Sequence, residues 1–314
     1  MRTLLLLWLL AAPSSDTLQV MFWNVENFFD WRNDSTTVSD VEFSAAGERH
    51  WTWKRFQAKA NAFAKAVFWV EAETGRLPDI IGLEEVENAF VLRQVLQKTA
   101  LRQLDYKYVH YDSPDRRGID VALLYRSSRL ELLDSKPCHL FSADTVMATR
   151  DILLCVFQKD SAKVAVLVNH HPSKYGGAAE SEPRRRIAVE RLRFLADSLA
   201  AVGIDRIIAG GDFNDTPDNP VFGLLEPVLR PRHTDLFRRG LGTIKFDGKW
   251  DLIDHIYVSP ALTPLSRMRI LRIPFLLTRD TVHSGEKPLR TYTGPRHTGG
   301  VSDHLPVLLE VHFQ

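Results

Sequence analysis

Cysteine is nearly missing from this sequence: Cys138 and Cys155 are the two in 314 residues. So few thiols exclude a disulfide-dense scaffold, and the lack of any zinc-type Cys/His spacing excludes a structural zinc site. Both cysteines lie in a region that reads as neighbouring strands, and the sequence leaves open whether they pair. An excess of one charge is missing as well. Lys and Arg total 40 against 39 Asp and Glu, a formal net charge of +1, so only local clustering of charge could select a polyanionic partner. No Ser/Pro/Gly-rich linker, charge block, low-complexity tract or internal repeat divides the chain, which argues for one domain. Beyond the N-terminus no apolar run is long enough for a stable membrane span. Finally, no glycine-rich phosphate loop opens a helix, and no serine or cysteine stands in a nucleophile-elbow context.

The first residues differ from the rest. Met1-Arg2 precedes an almost wholly apolar stretch at 4–10, followed by Ala11-Ala12-Pro13-Ser14-Ser15. A basic start, a brief apolar core and small residues describe a secretory signal peptide, too short to serve as a folded anchor. The expectation is a leader over 1–17, a mature domain over 18–314 and an exported protein, whether periplasmic, secreted or associated with a lipid surface. A wrongly chosen start or a first strand is the plain alternative. The composition, 45% hydrophobic and 25% charged, is that of a globular domain with ample material for a core.

What is present is a series of apolar strands that end in polar residues. The centre of the pattern is 205–215, Asp-Arg-Ile-Ile-Ala-Gly-Gly-Asp-Phe-Asn-Asp. The run Ile207-Ile208-Ala209 reads as a buried strand, and Asp212 and Asn214 follow it two apart, leaning to one side. Ligand sites of α/β sheets gather at such ends. Residues 19–23 repeat the pattern and run into Asn24-Val25-Glu26, and residues 78–83 run into Glu84-Glu85. Further strands are predicted at 106–110 and 119–125, in an antiparallel meander over 130–158, and at 163–168, which runs into Asn169-His170-His171. The last two fall near 251–258 and at 307–313, the latter preceded by Ser302-Asp303-His304-Leu305-Pro306. Phe56, Ala60, Phe63, Val67 and Val70 form the stripe of a helix stopped by Gly75. A second helix follows Asn88, and a third presents Ile187, Leu192, Leu195 and Leu199 before Gly203. Residues 28–53 read as a long polar connection whose tryptophans pack rather than bind. Strands outnumber helices and only some alternate with them, so the fold class is α+β, with mixed sheets and helices outside.

The polar residues at these ends are Asn24, Glu26, Glu85, His170, Asp212, Asn214, Asp254, Asp303 and His304. Singly, each has a bland explanation: a turn former, a helix cap, a solvated charge or a core histidine. Together they are a set of hard oxygen ligands and imidazoles, suited to Mg²⁺, with Mn²⁺ or Ca²⁺ as alternatives. A divalent ion that neutralises phosphoryl oxygens, beside a histidine that titrates near neutrality, is the equipment of phosphate-ester hydrolysis.

The blocks Asn24-Val25-Glu26, Leu83-Glu84-Glu85-Val86, His170, Gly211-Asp212-Phe213-Asn214, Ile253-Asp254-His255-Ile256 and Ser302-Asp303-His304-Leu305-Pro306 appear in the order seen in the endonuclease/exonuclease/phosphatase superfamily. The chain resembles that superfamily over about 18–313. The resemblance implies a DNase I-like four-layer α/β sandwich, two packed mixed β-sheets flanked by helices, and Mg²⁺-dependent phosphoester cleavage. It implies Glu85 as the main metal ligand with Asn24 and Asp303 nearby. Asp212 and Asn214 then hold the phosphate and water, His304 is the base-side histidine, His170 is a second histidine, and Asp254 orients one of the two. Two departures stand out. Glu84 occupies a position where the family often has Gln, and Glu26 replaces an aspartate, so either could add to the metal site.

The leading expectation is an exported metal-dependent phosphodiesterase, a nuclease, acting as a monomer on a phosphoester substrate such as nucleic acid. Arg184, Arg185, Arg186, Arg116, Arg117 and Lys174 could meet a phosphate backbone, or simply form a solvated helix start. The alternatives are a phosphatase or phospholipase C-like hydrolase acting on inositol phosphates or sphingomyelin, and a binding protein that kept the fold without the chemistry.

Overall fold

A computed structural model describes residues 17–32, 37–174 and 176–313. The leader expected at 1–17 lies outside these residues except for Thr17. The architecture follows from strands that are apolar on both faces. In the first, β1 (Thr17–Phe28), every residue but Asn27 is buried. Leu18, Val20 and Phe22 face one core, while Met21, Trp23 and Val25 face another. A strand buried on both faces must sit inside a layered structure.

The remaining strands of the two large sheets are β2 (Ile80–Val86), β3 (Tyr106–His110), β4 (Asp120–Arg126), β5 (Glu131–Cys138), β6 (Ile152–Lys159), β7 (Ala162–His170), β8 (Arg206–Asp212), β9 (Arg230–Pro231), β10 (Asp254–Val258), β11 (Ser266–Ile270) and β12 (Val307–His312). They are ordered β11-β12-β1-β2-β4-β3 in one sheet and β9-β10-β8-β7-β6-β5 in the other. Each sheet is built around a parallel pair, β1–β2 and β7–β8. Crossover helices α1 (Trp53–Thr74) and α3 (Ala178–Ala201) join the two members of each pair, and α2 (Ala89–Lys98) lies beside α1.

Alternation along the strands separates three cores. Phe22, Leu123, Phe157, Val166 and Ile208 fill the space between the sheets. Phe56, Phe63 and Val67 of α1 cover the outer face of the first sheet, and Val189, Leu192 and Leu195 of α3 cover that of the second. The result is the expected α/β/β/α sandwich. Its closest approach is set by glycine: a Cβ on Gly82 or Gly210 would fall 2.5 or 2.4 Å from the Phe22 ring.

Three expectations change in detail. β1 does not stop at Trp23 but continues through a bulge to Phe28. Residues 28–53 are not wholly irregular, because a short helix forms at Val38–Glu42. The edge strand β11 carries no polar end and had no sequence signal of its own. The two cysteines are free. Cys155 points between the sheets and Cys138 toward α3, so they lie on opposite faces of one sheet and cannot pair.

Candidate active site

Because β1, β2, β7 and β8 run into the same end of the sandwich, their C-terminal residues meet there. In register, Asn24 stands beside Glu84, and Asp212 stands between His170 and Asp254. The two sheets touch where Asn24 Nδ2 donates to Asp212 Oδ2 at 3.0 Å. Asn24, Glu84, Glu85, His170, Asp212, Asn214, Asp254, Asp303 and His304 all belong to this cluster. It is held in unusual backbone: Glu26, Asn27, Glu85 and Asn214 have φ of 44°, 51°, 65° and 53°. Such left-handed non-glycine positions cost energy and collect at functional sites. At Glu85 the turn coincides with a bulge in β2. It frees Glu85 from strand alternation, so Glu84 points down between the sheets while Glu85 lies at the rim.

Glu85 is fixed but not consumed. Its Oε2 accepts the Asn27 amide at 2.8 Å and lies 3.5 Å from Arg117, while Oε1 stands 4.0 Å from His170 Nε2. Asp212 is the hub. Oδ1 accepts the Asn214 amide at 2.8 Å, and Oδ2 lies 3.6 Å from His170 Nε2 and 3.9 Å from His304 Nε2. Asn214 in turn donates to the His171 carbonyl at 2.9 Å, which Arg150 also reaches at 2.8 Å.

His304 Nδ1 donates to Asp254 Oδ2 at 2.9 Å. This answers a question the sequence left open, since Asp254 orients His304 rather than His170. Ser302 braces the loop, donating to the Asn24 carbonyl at 2.6 Å and accepting the His304 amide at 2.9 Å. Trp23 Nε1 donates to the His304 carbonyl at 3.0 Å.

Burial and charge split the titrations. Burial draws His304 down, but the carboxylates of Asp254, Asp212 and Asp303 outweigh it and hold the imidazole protonated well above its ordinary range. His170 goes the other way: burial, then Arg150 and Arg117, keep it neutral. Burial raises Asp212 to about 7 against the pull of His304. Glu84 is fully buried, neither of its oxygens has a partner, and it is pushed well above the carboxylate range by burial and by Asp254 and Asp212.

Glu26 also holds a neighbouring loop. Its carboxylate accepts from Arg290 at 3.0 and 3.1 Å and from the Thr291 amide at 2.7 Å, while Arg290 also reaches Asp303 at 3.1 Å. Glu26 thus clamps the 290–303 loop. Lys59 completes the clamp, donating to the Glu26 carbonyl and to Thr291 Oγ1. Burial lowers Lys59 to about 8 and, with Asp303, raises Glu26 to about 7. Neither Lys59 nor Arg290 ends one of the apolar strands predicted from the sequence, so that pattern passes them over. For Lys59 a signal existed, because it falls three residues after Phe56 on the buried stripe of α1.

The donor chemistry suits a hard divalent cation. Glu26, Glu84, Glu85, Asp212, Asp254 and Asp303 meet in one place without a thiolate, and burial drives three of them toward protonation, a tension that a cation would relieve. Glu85, Asn24 and Asp303 offer oxygens of the type such an ion takes, although the Asn24 side-chain carbonyl accepts the Glu26 amide at 3.0 Å and Asp303 lies 3.1 Å from Arg290. One tighter trio exists among the described residues, His110, Asp112 and Asp120, with ligand atoms within 4.8 Å of one another. Asp120 is already filled there by His110 at 3.1 Å and by Ser113.

Of the basic residues, Arg185 and Lys174 are tied to Asp215, at 3.1 and 2.7 Å, and Arg186 to Glu190 at 2.9 Å. The run 184–186 is therefore no phosphate-facing block. Arg184 instead joins Arg116, Arg117 and Arg150 around a cleft of about 890 Å³, which Asp115, Ser142, Met147 and Ser173 also line. No helix among the described residues is long and apolar enough to cross a membrane.

A family model described as the Endonuclease/Exonuclease/phosphatase family matches residues 19–313. Among solved structures, the chain is similar to an endonuclease/exonuclease/phosphatase family protein from Bacteroides thetaiotaomicron, at 19% identity and a TM-score of 0.61, covering 95% of this chain and 98% of that one. It is similar to the human Nocturnin catalytic domain with bound sulfate (17%, TM-score 0.60, 95% of each chain). It also resembles D. rerio TDP2 complexed with a single-strand DNA product (16%, TM-score 0.57, 94% and 98%). No curated protein matches the chain by sequence.

Proposed function

The chain belongs to the endonuclease/exonuclease/phosphatase family of hydrolytic phosphoesterases, and from that premise we propose that it is an exported, Mg²⁺-dependent phosphodiesterase that cleaves nucleic acid. The observation that carries the choice of substrate is the arginine-lined cleft. Arg117 lies 3.5 Å from Glu85, and Arg150 holds the His171 carbonyl to which Asn214 is also bonded. The cleft therefore opens directly off the catalytic cluster. Arg150 is buried and also paired with Asp115 at 3.1 Å, but the volume of about 890 Å³ and the exposed Arg116, Arg117 and Arg184 suit a chain with phosphates flanking the scissile one, because guanidinium forks match phosphate oxygens. A lone phosphomonoester would leave them unused.

In this reading Glu85, Asn24 and Asp303 would hold the cation, which when bound would neutralise charge on the attacked phosphoryl group. Asn214 and neutral His170 donate hydrogen bonds to the phosphate. Asp212, raised by burial to about 7, accepts the proton of the attacking water in its ionised form. The sequence suggested His304 as the base. Its carboxylate surroundings suit the opposite role, a protonated imidazole that stabilises negative charge on the phosphoryl oxygens, with Asp254 fixing its position. Export is supported by the basic, apolar and small-residue order at 1–17.

The test is turnover of single-stranded DNA, duplex DNA, RNA, sphingomyelin, a bis-phenyl phosphodiester and a phenyl phosphomonoester, with Mg²⁺ and with chelator. Expected are cleavage of nucleic acid and of the diester, and loss of both with chelator. Preference for the monoester or sphingomyelin would replace the substrate proposal, and activity that survives chelation would end the metal mechanism. Export is tested separately by N-terminal sequencing of the mature protein, where an intact Met1 contradicts it.

A further inference from the structure

A second concentration of arginine lies away from the catalytic cluster. The edge strand β11 has β12 on one side only. Across its open edge runs the segment 232–242, which includes a short helix at Thr234–Arg238. Between them is a cavity of about 390 Å³, whose walls carry Arg232, Arg239, Arg267, Arg269 and Arg272 against a single acid, Asp235. None of the catalytic side chains lines it.

The guanidiniums are not equivalent. Arg239 is paired with Asp235 at 3.6 Å, Arg269 with Glu310 at 3.2 Å and Arg272 with Glu286 at 3.3 Å. Arg232 and Arg267 have no acidic partner among the described residues. Arg232 is the informative one. It spans the crevice, donating from Nη2 to the Ser266 carbonyl at 2.7 Å, while its Nε is buried without any hydrogen-bond partner. A buried guanidinium nitrogen left without an acceptor is costly. In a pocket rimmed by further guanidiniums, the group that would satisfy it is an anion with several oxygens. Of its apolar lining, Met268 belongs to the inter-sheet core and Leu236 packs against that core, and the cavity's size falls within the range of small-molecule sites.

We propose that this crevice is a second anion-binding site, separate from the catalytic centre, that takes a phosphate-bearing ligand through Arg232 and Arg267. Guanidinium–phosphate pairing at fixed geometry is among the stronger polar contacts available to a protein. The inference does not depend on the phosphodiesterase reading, since it rests on other residues and on binding rather than turnover.

The test is calorimetric titration of the full mature protein with inorganic pyrophosphate in chelator, so that no cation bridges it to the catalytic carboxylates. Wild type is expected to bind. Arg267→Glu, an exposed substitution outside the core, should weaken binding at least about tenfold, the loss expected for a charge-assisted contact. Diester turnover should be unchanged. Arg232→Gln should weaken binding as well, with circular dichroism confirming that both variants fold. Arg117→Glu, which alters the catalytic cleft, should leave binding intact. No binding by wild type, equal binding by Arg267→Glu, or loss of binding in Arg117→Glu would each overturn the proposal. Displacement of pyrophosphate by a short oligonucleotide would assign the phosphate to nucleic acid, and failure to displace it would assign it to a free small anion. Both outcomes support the site.

Discussion

Glu84 shows how one residue can conflict with its surroundings. It has no solvent, no hydrogen-bond partner and three acidic neighbours, Asp254, Asp212 and Glu85, so the folded protein favours its protonated form. A carboxyl whose folded pKa lies above its unfolded value binds more protons when folded, and its penalty grows as pH rises above the unfolded value. Glu84→Gln keeps the shape and removes the acid. The variant should melt at a higher temperature than wild type, and the gap should be wider at pH 8 than at pH 5. A gap that shrinks with rising pH would mean that Glu84 is ionised and stabilised in the folded protein. At this scale much was legible. Asn24, Glu85, His170, Asp212, Asn214, Asp254, Asp303 and His304 are found together, because each ends or flanks an apolar strand and the strands share one end. Glu26 is a metal-site candidate in the sequence because it replaces an aspartate of the family, yet after the bulge in β1 its carboxylate meets Arg290 and Thr291. No local pattern announces a bulge.

At the scale of elements, the sandwich depends on two sheets approaching closely enough for Asn24 of one to bond Asp212 of the other. Phe22 is the spacer, seated over Gly82 of its neighbouring strand and Gly210 of the opposite sheet. Gly210→Ala would push a methyl into the Phe22 ring in a closed core. We expect about 1–3 kcal/mol of destabilisation, the usual cost of overpacking, measured by urea unfolding. We also expect impaired turnover, because the displaced strand carries Asp212 two residues on. Unchanged stability would show that the sheets have slack. The glycine pair at 210–211 was visible in the sequence as a break in an apolar run. Its partner, an aromatic ring on a strand far away in the chain, was not, because packing across sheets leaves no periodic trace. The same limit hid β11, a short edge strand recognisable only by its pairing with β12.

For the whole molecule, acid sensitivity is written into buried histidines. Burial lowers His233 to about 4 and His171 to about 3, and His255, stacked on His233 at 4.3 Å, falls well below its ordinary value. Folded, these rings stay neutral; unfolded, they take up protons below about 6.5. Their contribution is therefore complete above that pH and is lost as pH falls toward 4 and then 3, on the order of 3 kcal/mol for His233 alone. The raised carboxylates Glu26 and Asp212 act with opposite sign from the ordinary carboxylate range up to about pH 7, and Glu84 is shifted in the same direction, so the net curve mixes both. A variant isolates the term: His233→Leu should retain more of its pH 7.5 stability at pH 4.5 than wild type does. Equal losses would place the proton uptake elsewhere.

The central claim is that residues from two sheets form one phosphoester-cleaving unit, and it is tested most directly by a double-mutant cycle. Turnover of the bis-phenyl phosphodiester in Mg²⁺ would be measured for Asp212→Asn, His304→Ala and the pair. Each single change should cost at least about a hundredfold, and the double variant should be little worse than the more damaged single, as for groups that act together. Near-normal turnover in either single variant, or losses that multiply in the double, would contradict a shared site.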